Sequence, residues 1–267
     1  MMVKFGIYEK ALLDDKFEES LKLAHEVGYS FWELAIDNER KARLDWNNQE
    51  IDEIKKLCSK TSMPIFNMVL SLHRDYPLGA VEKETREAAL QYLFKSIDLA
   101  VKLGIRTIQL AGYYSKKEEI PGLKELYIQS LKEGAAYASA NGVLLGIENM
   151  DYDFIDIESI MDVIKEVNNP YLKLFLDVGN FAANELDPIQ QLLLGKEDLI
   201  ALHLKETKKS EYRRVRFGDG IVKFKEIFHF LTTNNYNGYF GVEMWNDNNP
   251  HSLKEIEHSI NWLKNQM

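Results

Sequence analysis

Four short apolar runs in the sequence each lead to a residue that can bind a metal ion. These residues are Glu148, Asp177, His203 and Glu243. Taken singly, a carboxylate after a strand typically caps a helix, and a histidine in an apolar run is typically a hydrogen-bonded core residue. Three carboxylates gathered without a cation would repel one another, so the set as a whole predicts a divalent metal site. Three oxygen ligands and one imidazole suit Mn²⁺ or Zn²⁺, with Mg²⁺ and Co²⁺ as alternatives, and leave coordination positions open for a substrate.

These four runs are the last of eight, and each is followed by a longer stretch with helical periodicity. The runs begin at Phe5, Phe31, Ile65, Thr107, Val143, Leu172, Ile200 and Tyr239. Such alternation predicts a parallel sheet, either open and doubly wound or closed into a barrel, and eight units favour the barrel. The chain is therefore predicted to be α/β, a single (β/α)8 TIM barrel over residues 1–267.

A barrel would bring the four candidate ligands together. Active sites of this fold lie at the C-terminal ends of the strands. The ligands end strands five to eight, and neighbouring parallel strands lie about 4.8 Å apart. Helix starts carry their own signals: Asn47 and Asp156 are predicted N-caps, and Ser252 with Glu255 predicts a capping box before the last helix.

Composition excludes several classes of function. A net charge of −9 argues against a nucleic-acid-binding protein. The single cysteine, Cys58, excludes an intrachain disulfide and a cysteine-rich zinc site. The N-terminus lacks the apolar segment of a signal peptide, and no apolar run is long enough to span a bilayer, so we expect a cytoplasmic protein without a membrane partner.

One loop is strongly basic, although the chain as a whole is acidic. Six cations lie within a dozen residues after the seventh strand: Lys205, Lys208, Lys209, Arg213, Arg214 and Arg216. Such a cluster suggests a site for one anionic group, such as a phosphate. A solvated loop without a ligand explains the same cluster equally well.

Nine segments carry a family resemblance: GIYEKAL, RLDW, LSLHRDYPLG, IQLAGYY, IENMDYDF, LDVGN, HLKET, RFGDG and VEMWN. GIYEKAL, the loop after strand three and VEMW are specific, whereas HLK and LDVGN alone recur across a wider superfamily. The nine segments resemble the L-ribulose-5-phosphate 3-epimerases, also called L-xylulose-5-phosphate 3-epimerases, of the xylose isomerase-like superfamily. The resemblance implies a TIM barrel and one divalent metal ion held by the four residues already identified. It also implies a small-molecule ketose phosphate as substrate, and a homodimer is the expectation for the superfamily.

The implied reaction interconverts L-ribulose 5-phosphate and L-xylulose 5-phosphate. The C3 proton, acidified by the C2 carbonyl, leaves on one face and returns on the other, which needs one acid/base on each face. The resemblance assigns these roles to Glu148 and Glu243, while Asp177 and His203 mainly hold the metal. A metal ion chelating O2 and O3 would stabilise the cis-enediolate.

The resemblance also gives the basic loop a role, because a 5-phosphate needs cations. The candidates are Lys205, Lys209, Arg213, Arg214 and Arg216, with Arg74 as a further candidate. Related free-ketose epimerases carry a histidine where this chain has Asn180, which favours a phosphorylated substrate. His73 and Gln109 complete the predicted substrate-binding set, although a loop histidine bonded to the backbone explains His73 equally well. Trp245 is expected to line the pocket.

Three alternatives remain at this point. The same barrel supports hexulose-phosphate isomerases, free-ketose epimerases and inosose dehydratases. A DNA-repair endonuclease would need a multi-zinc, histidine-rich site. The chain has six histidines, mostly away from the strand ends, and this together with its acidic charge disfavours such an enzyme. A sugar-phosphate-binding protein without catalysis would bind substrate but no metal.

Overall fold

Eight parallel strands close into a barrel in chain order, as the alternation predicts. A computed structural model describes residues 4–115, 120–246, 249 and 251–267. The strands are β1 Phe5–Tyr8, β2 Phe31–Ile36, β3 Ile65–Leu70, β4 Thr107–Ala111, β5 Leu144–Glu148, β6 Leu172–Asp177, β7 Leu199–Leu204 and β8 Tyr239–Val242. β1 pairs with β8, so the sheet has no free edge.

Nine α-helices follow the strands within these residues, one more than predicted. They are α1 Phe17–Val27, α2 Asn48–Thr61, α3 Lys83–Leu103, α4 Leu123–Asn141, α5 Ile157–Val167, α6 Val178–Ala183, α7 Pro188–Gly195, α8 Phe224–Thr233 and α9 Ser252–Lys264. The additional helix, α6, has six residues and begins directly after β6. It is too short to show helical periodicity in the sequence. No helix among the described residues is both long and apolar enough to cross a bilayer.

Alternate residues of each strand serve two different environments. In β7, Leu202 and Leu204 belong to the large apolar core between the barrel and its helices. Successive side chains of a strand point to opposite faces, so His203 points the other way, into the barrel. β2 follows the same pattern, with Trp32 and Leu34 in the outer core and Glu33 between them. The barrel interior around Glu33 and His203 is therefore a polar layer, and the site is built there.

Two of the three predicted helix caps are present. Asn47 accepts from the backbone N–H of Glu50, whose carboxylate accepts in return from the Asn47 N–H. Asp156 accepts from the Ser159 N–H. The capping box at Ser252 is wrong, because Ser252 is already inside α9 and its hydroxyl donates to the carbonyl of Asn246 at 2.8 Å.

Candidate metal centre and substrate cavity

The four predicted metal ligands meet at the C-terminal end of the barrel. One ligand atom from each of Glu148, Asp177, His203 and Glu243 lies within 4.8 Å of all the others, and all four residues are buried. Strand register explains the convergence, because Asp177 of β6 pairs directly with His203 of β7. The donor set of three carboxylates and one imidazole fits a divalent metal ion.

The His203 ring connects the cluster to a carboxylate on the far side of the barrel. Its Nδ1 lies 2.7 Å from Glu148 Oε1 and 3.6 Å from Glu243 Oε2. Its Nε2 lies 3.1 Å from Oε2 of Glu33, a fully buried residue of β2. Burial alone would lower the pKa of His203, but the charges of Glu33 and Glu148 raise that pKa well above its usual value.

Lys205 points into the cluster rather than out along the basic loop. Its Nζ lies 2.6 Å from Asp177 Oδ2 and 3.0 Å from Glu243 Oε2. Burial would lower the pKa of Lys205, but these two carboxylates raise it above its usual value. The ammonium ion therefore already offsets part of the negative charge that a bound cation would meet.

The two carboxylates beside Lys205 respond differently. Burial raises the pKa of Asp177 to about 8, because the attraction of Lys205 is opposed by the nearby charges of Glu243 and Glu148. Burial also acts to raise the pKa of Glu243, but Lys205 and His203 together hold it well below its usual value. Asp177 therefore carries most of the charge conflict within the cluster, which a cation would relieve.

Neighbouring side chains fix the orientation of the candidate ligands. Asp177 Oδ1 caps α6 by accepting from the N–H groups of Gly179 and Asn180 at 2.7 and 3.1 Å. Oδ2 is left for Lys205, with which it forms an ion pair at 2.6 Å. The side chain of Asn149 bonds both the N–H and the carbonyl of Asp177, at 2.7 and 3.0 Å. Gln109 donates to Glu148 Oε2 at 2.6 Å.

A cavity of about 330 Å³ opens beside the cluster. Its lining includes Glu243 and four of the predicted substrate-binding residues, Arg74, Asn180, Lys205 and Arg213. The Arg74 guanidinium lies 5.9 Å from the centre of the Tyr113 ring, and its Nε has no hydrogen-bond partner among the described residues. Arg213 lies 5.2 Å above the ring of Trp245. The lining thus combines carboxylates, including Glu243, with two arginines that form no ion pair with the described residues.

The remaining predicted substrate-binding residues lie elsewhere. Lys209 is exposed and pairs with Glu185 at 2.8 Å. Arg216 bonds Glu255 at 2.9 Å and, with Arg214 and Trp245, lines a second cavity of about 230 Å³ that shares Lys205 and Glu243 with the first. The predicted basic site is therefore divided between two adjoining cavities and the protein surface.

His73 and Gln109 also lie outside the lining of both cavities. The Nε2 of His73 bonds the Ala89 carbonyl of α3 at 3.2 Å. Burial lowers the pKa of His73 to about 4, so the ring is neutral at physiological pH. Gln109 reaches the site indirectly, through Glu148.

The loop after β7 folds around the buried carboxylate of Glu206. This side chain accepts from the N–H groups of Gly218 and Val222, both at 3.1 Å. A Cβ atom on Gly220 would stand 2.2 Å from Glu206 Oε1, so only glycine fits there. The RFGDG segment therefore serves to close the loop that carries Arg213 and Arg214.

Sequence reasoning missed Glu33, Asn67, Asn149 and Glu206 as parts of this site. The available signal was a polar residue inside an apolar run, as in FWELAI for Glu33 and IFNMVL for Asn67. Buried polar side chains need hydrogen-bond partners, so each such residue indicated an internal partner without revealing which one.

Comparison with known proteins gives the same picture. Residues 21–266 match the family described as xylose isomerase-like TIM barrel. Among curated proteins, the L-ribulose-5-phosphate 3-epimerase UlaE of Shigella flexneri is 34% identical over 270 residues, covering 99% of this chain and 95% of that protein. An enzyme of the same name from Escherichia coli is 33% identical over 270 residues, which also cover 99% of this chain and 95% of that protein.

Solved structures agree on the fold. The 3-keto-D-glucoside 4-epimerase YcjR of E. coli superposes with a TM-score of 0.81 at 19% identity, covering 99% of this chain and all of that one. An L-ribulose 3-epimerase superposes with a TM-score of 0.80 at 16% identity, covering 99% and 94%. At such identities these structures establish the fold alone.

Proposed function

The chain belongs to the xylose isomerase-like TIM barrel family and is a sugar epimerase, and we propose that it is a metal-dependent 3-epimerase of ketopentose phosphates, interconverting L-ribulose 5-phosphate and L-xylulose 5-phosphate. The observation that carries the proposal is the buried cluster of Glu148, Asp177, His203 and Glu243 beside a cavity lined by arginines. The curated relatives bear the name of this activity over nearly the whole chain.

In the proposed mechanism, Glu148 and Glu243 transfer the C3 proton. Glu148 ends β5 and Glu243 follows β8, and both approach His203 Nδ1. A ketose bound between these two carboxylates would have one of them on each face of C3. One removes the C3 proton and the other returns a proton to the opposite face, which inverts the centre. The donation from Gln109 holds one oxygen of Glu148 and leaves the other facing the cluster.

All four cluster residues would hold the metal ion, which would supply positive charge next to O2 and O3 of the ketose. Asp177 is fixed for this role, because its backbone is clamped by Asn149 and its Oδ1 caps α6. Mn²⁺ and Zn²⁺ suit the donor set best, and Mg²⁺ and Co²⁺ are the alternatives.

We place the substrate phosphate at Arg74 and Arg213. Both line the cavity that contains Glu243, and guanidinium groups bind phosphate through paired hydrogen bonds. The Nε of Arg74 has no hydrogen-bond partner among the described residues, so the guanidinium has a donor left for a phosphate. Lys209 and Arg216 are already paired with Glu185 and Glu255.

Deuterium exchange tests the reaction and the two bases together. Wild-type protein with a divalent cation should convert L-ribulose 5-phosphate in D₂O and place deuterium at C3, as measured by NMR. Glu148→Gln and Glu243→Gln should each lower both rates at least about 100-fold, because each removes one proton-transfer group. Glu185→Gln, which changes an exposed carboxylate, is the matched control. Wild-type exchange in either site variant would refute the two-base mechanism.

A further inference from the structure

Among the residues that the structure describes, Glu33 is the one carboxylate that contacts the candidate metal cluster without belonging to it. It lies on β2, is fully buried, and reaches His203 of β7 across the barrel interior. The residues are 170 positions apart in the chain. A carboxylate in such a place needs partners for both of its oxygens.

Each carboxylate oxygen of Glu33 has one hydrogen-bond partner. Oε2 lies 3.1 Å from His203 Nε2, and Oε1 accepts from the side-chain amide of Asn67 on β3, also at 3.1 Å. A carboxylate only accepts hydrogen bonds, so the bond to Oε2 requires a hydrogen on Nε2 of His203. The other ring nitrogen, Nδ1, faces Glu148 and Glu243, and by the same rule its 2.7 Å contact with Glu148 carries a hydrogen while no cation is bound. A metal ion at the cluster would take the place of the hydrogen on Nδ1, while the hydrogen on Nε2 stays with Glu33.

The space for this carboxylate is provided by Gly241. A Cβ atom on Gly241 would stand 2.4 to 2.6 Å from the carboxylate atoms of Glu33. Gly241 is also the residue of β8 that pairs with His203. The Phe175 ring packs edge-on against the imidazole, with ring centres 4.7 Å apart. Glu33 and Phe175 therefore both restrict the orientation of the imidazole, and Gly241 leaves room for Glu33.

We propose that Glu33 is a positioning residue for the metal centre: it holds His203 with hydrogen on Nε2 and Nδ1 directed at the three carboxylates, while Asn67 orients Glu33 and Gly241 makes room for it. The inference rests on the proposed metal-dependent function. Partners of this kind on metal-binding histidines typically change metal affinity or activity 10- to 100-fold when they are replaced.

The substitution Glu33→Gln separates positioning from packing, because glutamine has nearly the same volume. Its side chain has one acceptor oxygen where glutamate has two, yet two donors, His203 and Asn67, still face it. One donor must lose its acceptor. The substitution Gly241→Ala displaces the same carboxylate by a steric clash and does not remove its charge.

The experiment is titration of chelator-treated protein with Co²⁺, followed by visible absorption, which reports both affinity and coordination geometry. Relative to wild type, Glu33→Gln and Gly241→Ala should bind Co²⁺ about 10- to 100-fold more weakly and show altered ligand-field bands. Far-UV circular dichroism checks that each variant is folded. Glu9→Gln is the matched control, because Glu9 is equally buried but pairs with Arg43, and it should leave both readouts unchanged.

Each outcome has a separate meaning. A folded Glu33→Gln variant with wild-type Co²⁺ affinity and spectrum overturns the positioning role, and so does a folded Gly241→Ala variant with both unchanged if Glu33→Gln fails to fold. Wild-type protein that binds no Co²⁺ overturns the metal centre and the positioning role together. Wild-type protein that binds Co²⁺ but epimerises no ketose phosphate overturns only the proposed function, and the titration still decides the role of Glu33.

Discussion

The Nζ of Lys205 lies 2.6 Å from Oδ2 of Asp177, the oxygen that the α6 cap leaves uncommitted. The contact places a lysine ammonium ion among residues that fit a divalent cation. The sequence predicts that Lys205 binds the substrate phosphate, whereas in the structure its ammonium group contacts two carboxylates of the cluster. Its role as a phosphate ligand remains a prediction, since it also lines the cavity.

Replacing Lys205 should make stability depend strongly on metal. In Lys205→Met the buried carboxylates of Asp177 and Glu243 lose their shared cation, so the metal-free protein should lose about 3–5 kcal/mol of unfolding free energy. Saturating Zn²⁺ or Mn²⁺ should restore most of this loss, because the ion supplies the missing charge. Urea unfolding with and without metal measures both values. Lys209→Met, at an exposed pair, should change neither, and an equal loss in both conditions for Lys205→Met would contradict the explanation.

Arg74 should determine the preference for phosphorylated substrate. Hydrogen bonds to charged groups contribute about 1.5–3 kcal/mol, so Arg74→Met should raise KM for the ketose phosphate roughly 10- to 100-fold. The reaction of the corresponding free ketose should change much less. Steady-state kinetics on both sugars, with Lys209→Met as control, measure the difference. Equal effects on the two sugars would place the phosphate elsewhere.

Glu206 should control the order of the loop after β7. Glu206→Gln sets an amide N–H group against the backbone N–H groups of Gly218 or Val222, which removes an acceptor from a buried position. We expect faster amide hydrogen exchange over residues 207–222 and weaker binding of the ketose phosphate, since Arg213 lies on this loop. Gly220→Ala should have the same effect by displacing the carboxylate. Unchanged exchange in both variants would show that the loop is held by other contacts.

His73 should make the protein less stable in mild acid. Its pKa of about 4 in the folded chain lies below the 6.5 of an exposed histidine, so between these pH values the unfolded chain binds a proton that the folded chain does not. The neutral, buried ring therefore contributes fully to the free energy of unfolding above pH 6.5. This contribution, about 3 kcal/mol, is lost as the pH falls towards 4. His73→Gln should unfold in urea with a shallower dependence on pH over this interval. The exposed His25→Gln should keep the wild-type slope, and an identical slope in His73→Gln would contradict the prediction.

The strands and the four candidate ligands were predictable because both depend on local pattern. Apolar runs separated by helical periodicity define the barrel, and a residue at the end of a run lies at the end of a strand. Asp177 and His203 therefore meet by register alone.

The support of the site was not predictable in this way. The contact between Glu33 and His203 crosses the barrel, and the pattern of β2 shows only that Glu33 is buried. The positions of the basic side chains in the loop after β7 were not predictable for a related reason. Spacing along an irregular segment does not give side-chain direction, so Lys209 and Arg213 look alike in sequence but lie in different places.

The hydrogen bond between Glu33 and His203 joins the first half of the barrel, which supports the site, to the second half, which carries the candidate ligands. A half-barrel of β5 to β8 contains every candidate ligand, and a half-barrel of β1 to β4 contains none. Yet Glu33, Asn67 and Arg74 belong to the first half, so the second half alone would carry the ligands without the imidazole brace or the buried arginine. A swap of the first half for that of another barrel would therefore preserve the metal-binding motif while losing its geometry.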